Sequence, residues 1–135
     1  MEKIYSKIDP KILLHIVKRA EEIKEEREEL SHVDDPLQGM VYNVSRGKNF
    51  QAHYHNPIER TTFTTQEAFI VIKGKLILTV LDTDHSEVCK RELNPGDCAI
   101  FKAGGHSFDV EEDTIFYELK PGPYLGREKD KTYID

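Results

Sequence analysis

The sequence has few cysteines, no surplus of basic residues and no long apolar run. Its two cysteines, Cys89 and Cys98, are too few for a disulfide framework. The formal net charge of -6 argues against a general nucleic-acid binder, because such proteins carry a basic surplus. No apolar run approaches the roughly 20 residues needed to span a bilayer, and the first residues lack the apolar core of a secretory signal. We therefore expect a cytoplasmic protein with reduced thiols and no nucleic-acid or membrane partner.

Three motifs of nucleotide and acyl-transfer chemistry are also missing. The sequence contains no phosphate-cradling glycine loop, no dinucleotide fingerprint and no nucleophile elbow. What it has is the composition of one globular domain: among 135 residues, 38% are hydrophobic and 9% aromatic, enough for a packed interior.

The sequence pattern of residues 1–38 predicts a helix followed by a linker. Asp9 and Pro10 form a typical helix start, with Asp as N-cap and Pro in the first helical position. The apolar residues that follow have the spacing of one helical stripe, and they are Ile12, Leu13, Ile16, Val17, Ala20 and Ile23. We predict an amphipathic N-terminal α-helix whose stripe packs on the body or on a second subunit.

Residues 39–120 predict an all-β domain. The predicted strands are 41–45, 50–55, 68–72, 76–81, 88–93, 98–101, 107–110 and 115–119. Short strands separated by turn residues favour a sandwich or barrel over a parallel α/β sheet. Residues 121–135 begin with Pro121 and Pro123, which cannot continue a central strand. We expect them to form a tail that packs on the barrel.

Three histidines and one glutamate have the spacing of a metal site. His53 and His55 are two apart on a predicted strand, so strand alternation places both imidazoles on one face. Glu67 begins the next strand, and His106 follows a short strand and two glycines. Brought together inside a barrel, these side chains would hold Mn, Fe, Ni, Zn or Cu, and the sequence does not choose among these metals.

The remaining histidines and the cysteines give weaker signals. We predict that His15, in the helix, and His32 and His85, in loops and turns, are ordinary structural or surface residues. Cys89 and Cys98 lie on predicted strands with no partner base nearby, which indicates buried structural thiols rather than a nucleophile.

The metal-site residues resemble the motifs of the cupin superfamily. Its first motif is His-x-His, then Glu, then six residues and Gly, and its second is Gly, a short strand and His. The matching residues here are His53-Tyr54-His55, Glu67 with Gly74, and Gly96-Asp97 leading to Gly104-Gly105-His106. The resemblance covers roughly residues 41–119, and short segments are similar to a group of small single-domain microbial cupins. It implies a double-stranded β-helix, or jelly-roll barrel, a metal held by these three histidines and the glutamate, and a role in carbohydrate metabolism.

The acidic ligand has two candidates. Glu59 lies at the usual distance after the second histidine, but no glycine follows it at the required spacing. Glu67 has Gly74 at that spacing and begins an apolar strand, where alternation points it inward together with Phe69. We prefer Glu67 and keep Glu59 as the alternative.

Strand alternation also predicts which side chains would contact a substrate. Gln51 shares the face of the histidine pair, Phe69 that of the glutamate, and Phe108 that of the third histidine. Tyr117 would offer a hydroxyl at the mouth or form part of the barrel wall. Arg60, in a threonine-rich loop, would bind a carboxylate or phosphate or remain a solvated charge. Core packing is the alternative for the two phenylalanines.

These features favour a metal-binding small cupin that acts on a polar, sugar-related metabolite as an isomerase, epimerase or oxygenase. One alternative is a metal-free isomerase or epimerase of sugar nucleotides, in which His53 or His55 is the acid–base group. Another is a ligand-binding or regulatory module without catalysis. We expect a homodimer, because a second subunit would bury the apolar stripe of the helix and the unpaired edges of the sheets.

Overall fold

The chain forms an all-β structure of antiparallel strands. The computed structural model describes residues 1–134. The strands are β1 (Glu2–Tyr5), β2 (Leu13–Lys18), β3 (Arg27–Glu29), β4 (Met40–Tyr42), β5 (Glu67–Lys73), β6 (Leu76–Leu81), β7 (Glu87–Leu93), β8 (Cys98–Phe101), β9 (Gly105–Val110) and β10 (Ile115–Leu119). A 3-10 turn at Ala20–Glu22 and the short helix α1 (Arg127–Asp130) complete the elements of the described residues. No helix among them has the length and apolar character required to cross a membrane.

Two sheets pack face to face around the main core. Among residues 1–134, one sheet has five strands in the order β1-β2-β8-β5-β10, and the other has three in the order β7-β6-β9. Buried side chains from both sheets meet between them, including Leu14 and Val71 from the first and Leu78 from the second. The strand pairings of the described residues leave the sheets separate, so they do not close into a barrel.

A smaller layer covers the outer face of the five-stranded sheet. Strands β3 and β4 pair with each other, and Leu30, which follows β3, is buried in a second cluster with Ile16, Ala68 and Ile100. The central strands β2 and β8 are therefore covered on both faces. The sequence of a strand covered on both faces is a continuous apolar run, not an alternation of apolar and polar residues.

The predicted N-terminal helix is wrong, because Leu13, Ile16 and Val17 of its apolar stripe belong to β2. This strand pairs with β1 on one side and with β8 on the other, so residues 2–18 supply two strands of the main sheet rather than a helical arm. Leu14, which lies off the predicted helical stripe, is fully buried. The sequence suggested a helical stripe because a strand buried on both faces also contains closely spaced apolar residues, some of which match helical spacing.

The segment between β4 and β5 also differs from the prediction. The structure assigns no strand to residues 43–66, so the predicted strand 50–55 is wrong, and the predicted strand 41–45 is reduced to β4. Phe50 and Tyr54 are exposed, because no neighbouring strand covers their side chains. The later predictions agree well with the structure: β6, β8 and β10 have the predicted bounds.

Candidate functional site

The site is built around one carboxylate and one imidazole from the two facing sheets. Glu67 is the first residue of β5, and His106 is the second residue of β9. Nε2 of His106 lies 3.3 Å from Oε2 of Glu67, and the two side chains are 19% and 8% exposed. The structure thus brings together two of the four predicted ligands. Glu67 rather than Glu59 lies beside His106.

Glu67 is held in its ionised form. The hydrogen bond with His106 is the largest influence, and it lowers the pKa of Glu67. Partial burial acts in the opposite direction, but the positive charges of Lys120 and Lys131 lower the pKa further. A carboxylate is available here to accept a hydrogen bond or to bind a cation.

His15 is a third member of the site that the sequence analysis placed in a helix. Its ring is fully buried and lies edge-on to Phe101 and to His106, with centroid separations of 5.2 Å and 5.8 Å. Neither ring nitrogen has a hydrogen-bond partner among residues 1–134. Burial, followed by the charge of His106, lowers the pKa of His15 to about 3, although the nearby backbone of Gly105 opposes this. His15 is therefore neutral at physiological pH.

Aromatic side chains surround the His106 ring. Phe101, Phe69 and Phe108 lie with their centroids 4.7 Å, 5.3 Å and 5.6 Å from that of His106. Phe69 and Phe108 thus flank the site, as strand alternation predicts, while their contact with a substrate stays a prediction. On β10, Phe116 packs toward Phe69 and Phe108. Tyr117 is 61% exposed and lies on the opposite face of that strand, away from the Glu67–His106 pair.

Lys120 connects the site to the C-terminal tail. Its Nζ lies 3.5 Å from Glu67 and from Glu118, and 2.6 Å from Asp130 in the tail. The local sequence pattern does not reveal Lys120 as a site residue, because its partners Glu67 and Asp130 lie on two other segments of the chain. The one available signal was its position at the end of a strand, just before Pro121.

The two other predicted ligands lie on the exposed segment 43–64. The rings of His53 and His55 are 5.2 Å apart, and Nδ1 of His53 lies 2.9 Å from the backbone oxygen of Gln51. All three residues are exposed. Arg60 borders a different cavity of about 730 Å³, which Asp34, Asp35 and Thr61–Thr64 also line.

The four predicted ligands are of the types that bind divalent transition metals. The structure brings them together as two separate pairs. Within residues 1–134, no group of three or more His, Cys, Asp or Glu side chains has a metal-binding arrangement. Glu67 and His106 form one pair, and His53 and His55 form a second. Three imidazoles and a carboxylate remain ligands that Mn, Fe, Ni, Zn and Cu accept. The four-ligand centre stays a prediction.

The cysteines lie outside this site. Cys89 and Cys98 are both free thiols. Burial, followed by the charge of Asp97, raises the pKa of Cys98 to about 11, and burial also raises the pKa of Cys89. Both are protonated at neutral pH, which is typical of structural thiols rather than nucleophiles.

Comparison with known proteins adds no assignment for this site. No protein-family model matches the sequence, and neither a curated protein nor a solved structure matches it. The roles of the residues described above therefore depend on their chemistry and their placement.

Proposed function

We propose that this protein is a small jelly-roll protein of cupin type that binds a divalent transition metal and acts on a polar, sugar-like metabolite. The metal ligands would be His53, His55, Glu67 and His106. The observation that carries the proposal is the contact between Glu67 and His106, which joins two side chains 39 positions apart across the facing sheets. The two antiparallel sheets themselves are the layers from which a jelly roll is built.

The second pair of ligands is free to join the first. His53 and His55 are exposed and adjacent to one another. The 11 residues between His55 and Glu67 span roughly 40 Å when extended. The chain length therefore allows both imidazoles to reach the Glu67–His106 pair. Since metal binding is coupled to the ordering of its ligands, we expect a bound ion to order residues 50–55.

Each residue around the pair has a role that follows from its chemistry. Glu67 supplies the negative charge that a cation needs, and its contact with His106 fixes the orientation of that imidazole. His15 stays neutral, so no further positive charge is buried beside the site. The phenylalanine rings exclude water, which strengthens electrostatic interactions there. A bound metal would supply Lewis acidity toward a carbonyl or hydroxyl of the substrate.

A second candidate function is metal-free acid–base catalysis, as in an isomerase or epimerase of sugar nucleotides. The observation that favours it is the direct contact between Glu67 and His106, in which a carboxylate orients an imidazole. Nδ1 of His106 is buried and has no hydrogen-bond partner among residues 1–134, so this nitrogen could exchange a proton with a substrate once the site opens around it. In this case His106, rather than His53 or His55, is the acid–base group.

Metal analysis separates the two candidates. Protein purified without an affinity tag is supplemented with each metal, dialysed and measured by mass spectrometry for bound metal. The metal-binding function predicts close to one equivalent, whereas the metal-free function predicts far less than one equivalent for every metal tested.

Single substitutions then test the ligands. His53→Ala, His106→Ala and Glu67→Gln should each reduce metal retention, because each removes one donor. Glu59→Gln is the matched control and should leave retention unchanged. Retention that is lost in Glu59→Gln but kept in Glu67→Gln would reverse the choice of carboxylate.

A further inference from the structure

The C-terminal tail approaches both strands that carry the central pair. At its start, Lys120 Nζ is 3.5 Å from Glu67. At its end, Ile134 lies over Gly105, where a Cβ atom would be 2.7 Å from Ile134 Cδ1. Glycine at this position therefore allows the tail to approach β9 next to His106. The tail is one wall of the region around the Glu67–His106 pair.

This wall contains a cavity with a basic lining. The cavity is shallow and open to solvent, has a volume of about 380 Å³ and is lined by Glu118, Lys120, Tyr124, Arg127 and Lys131. Three of these five residues are basic and one is acidic, although the whole chain carries a net charge of -6. Lys120 is paired with carboxylates, so the cationic groups of this lining that are left for an anion are those of Arg127 and Lys131.

The three basic residues have different partners. Lys120 is neutralised by Asp130, Glu67 and Glu118, so it serves mainly to hold the tail. Arg127 donates from Nε to the Tyr133 hydroxyl, and its guanidinium lies 4.8 Å from the centre of that ring.

Arg127 and Lys131 retain charge that is available to a ligand. Among residues 1–134, the Nη groups of Arg127 make no hydrogen bond and Lys131 has no ion-pair partner. A hydrogen bond of 3.1 Å from the Lys131 backbone nitrogen to the Arg127 oxygen places the two residues one helical turn apart. Lys131 lines the same cavity as Lys120, whose Nζ lies 3.5 Å from Glu67, so the cavity adjoins the central pair.

We propose that this cavity binds the phosphoryl group of a phosphorylated sugar whose remaining atoms reach Glu67 and His106. Arg127 binds the phosphate oxygens through its planar guanidinium, and Lys131 adds a second positive charge. Tyr124, which is 62% exposed, offers a ring face for the sugar. Glu118 accepts a hydrogen bond from a sugar hydroxyl. This inference rests on the proposed function, because it names the substrate class for the same site.

The test uses metal-free protein, so that phosphate cannot bind to a metal ion. Titration calorimetry is performed with inorganic phosphate, glucose 6-phosphate and glucose. The proposal predicts that glucose 6-phosphate binds more tightly than inorganic phosphate and that glucose gives no measurable binding. Arg127→Gln and Lys131→Gln should each weaken phosphate binding about tenfold, since each removes a charge-assisted contact. Lys129→Gln, on the same helix but outside the cavity lining, is the matched control and should bind as the wild type does.

Two further measurements separate a binding role from a structural one. Arg127→Lys keeps the charge and should recover part of the affinity that Arg127→Gln loses. Wild-type protein that binds neither phosphate nor glucose 6-phosphate would overturn the inference. So would a loss of phosphate affinity in Lys129→Gln as large as the losses in Arg127→Gln and Lys131→Gln.

The inference and the proposed function can fail independently. Glu67→Gln should lower metal retention while inorganic phosphate still binds the metal-free protein. Arg127→Gln should weaken phosphate binding while metal retention stays unchanged. Phosphate binding without metal binding would overturn only the proposed metal centre. Metal binding without phosphate binding would overturn only the anion site.

Discussion

Replacement of His15 by phenylalanine should remove much of the acid sensitivity of the fold. The pKa of His15 is lowered from 6.5 to about 3, mainly by burial. Below pH 6.5 the unfolded chain therefore binds a proton at this residue that the folded chain does not bind. Stability consequently falls as the pH falls from about 6.5 toward 3.

The magnitude follows from the size of the shift. Each pH unit within this window costs about 1.4 kcal/mol, so His15 alone should destabilise the wild type by roughly 3 kcal/mol between about pH 6.5 and about pH 4.5. Phenylalanine has no proton to bind and keeps a planar ring next to Phe101 and His106. It also removes two buried nitrogens without hydrogen-bond partners among residues 1–134, a change of about 1–3 kcal/mol in favour of the variant at neutral pH.

The assay is urea unfolding of chelator-treated protein at several pH values. The difference in unfolding free energy between His15→Phe and the wild type should grow as the pH is lowered. His32→Ala, which removes an exposed imidazole, is the control and should follow the wild type. Equal losses of stability in His15→Phe and the wild type over the acid range would refute the assignment of a buried, neutral His15.

Three other changes test the fold and the assembly. Leu14→Ala should cost about 2–5 kcal/mol in urea unfolding, because Leu14 is fully buried, whereas the predicted helix would have left it off the apolar stripe. Gly74→Ala should destabilise the protein by about 1–3 kcal/mol, since φ is +77° and a Cβ would lie 2.5 Å from the Asp113 oxygen, whereas Gly47→Ala has open space and should cost less. Leu119→Glu on the exposed edge strand β10 should convert the expected homodimer to monomer in sedimentation, and a wild-type monomer at micromolar concentration would contradict the dimer.

The β-rich body could be predicted from the sequence because its signals are local. Glycine and proline turns and β-branched runs define β6, β8 and β10 to the residue. The N-terminal strand β2 could not be predicted in this way. Its burial on both faces depends on β1 and β8, and β8 lies about 80 positions further along the chain.

The site residues likewise divide into those that the local sequence pattern predicts and those that it does not. Strand alternation predicted that Glu67 points inward, the motif spacing predicted His106 as its partner, and the structure places the two in contact. His15 was missed because its role follows from the pairing of β2 with β8, and Lys120 was missed because its carboxylate partners come from separate segments. The position of His53 and His55 depends on what covers residues 43–66, and the local pattern of alternation does not determine this.

Anomalous diffraction from metal-loaded crystals tests the central claim most directly, because it locates the ion relative to the four side chains. Our account predicts one ion with nitrogens of His53, His55 and His106 and an oxygen of Glu67 at about 2.0–2.2 Å, the bond lengths usual for zinc and similar ions. An ion bound elsewhere would contradict the account. So would fully supplemented crystals in which Glu67 and His106 remain in direct contact with no ion beside them.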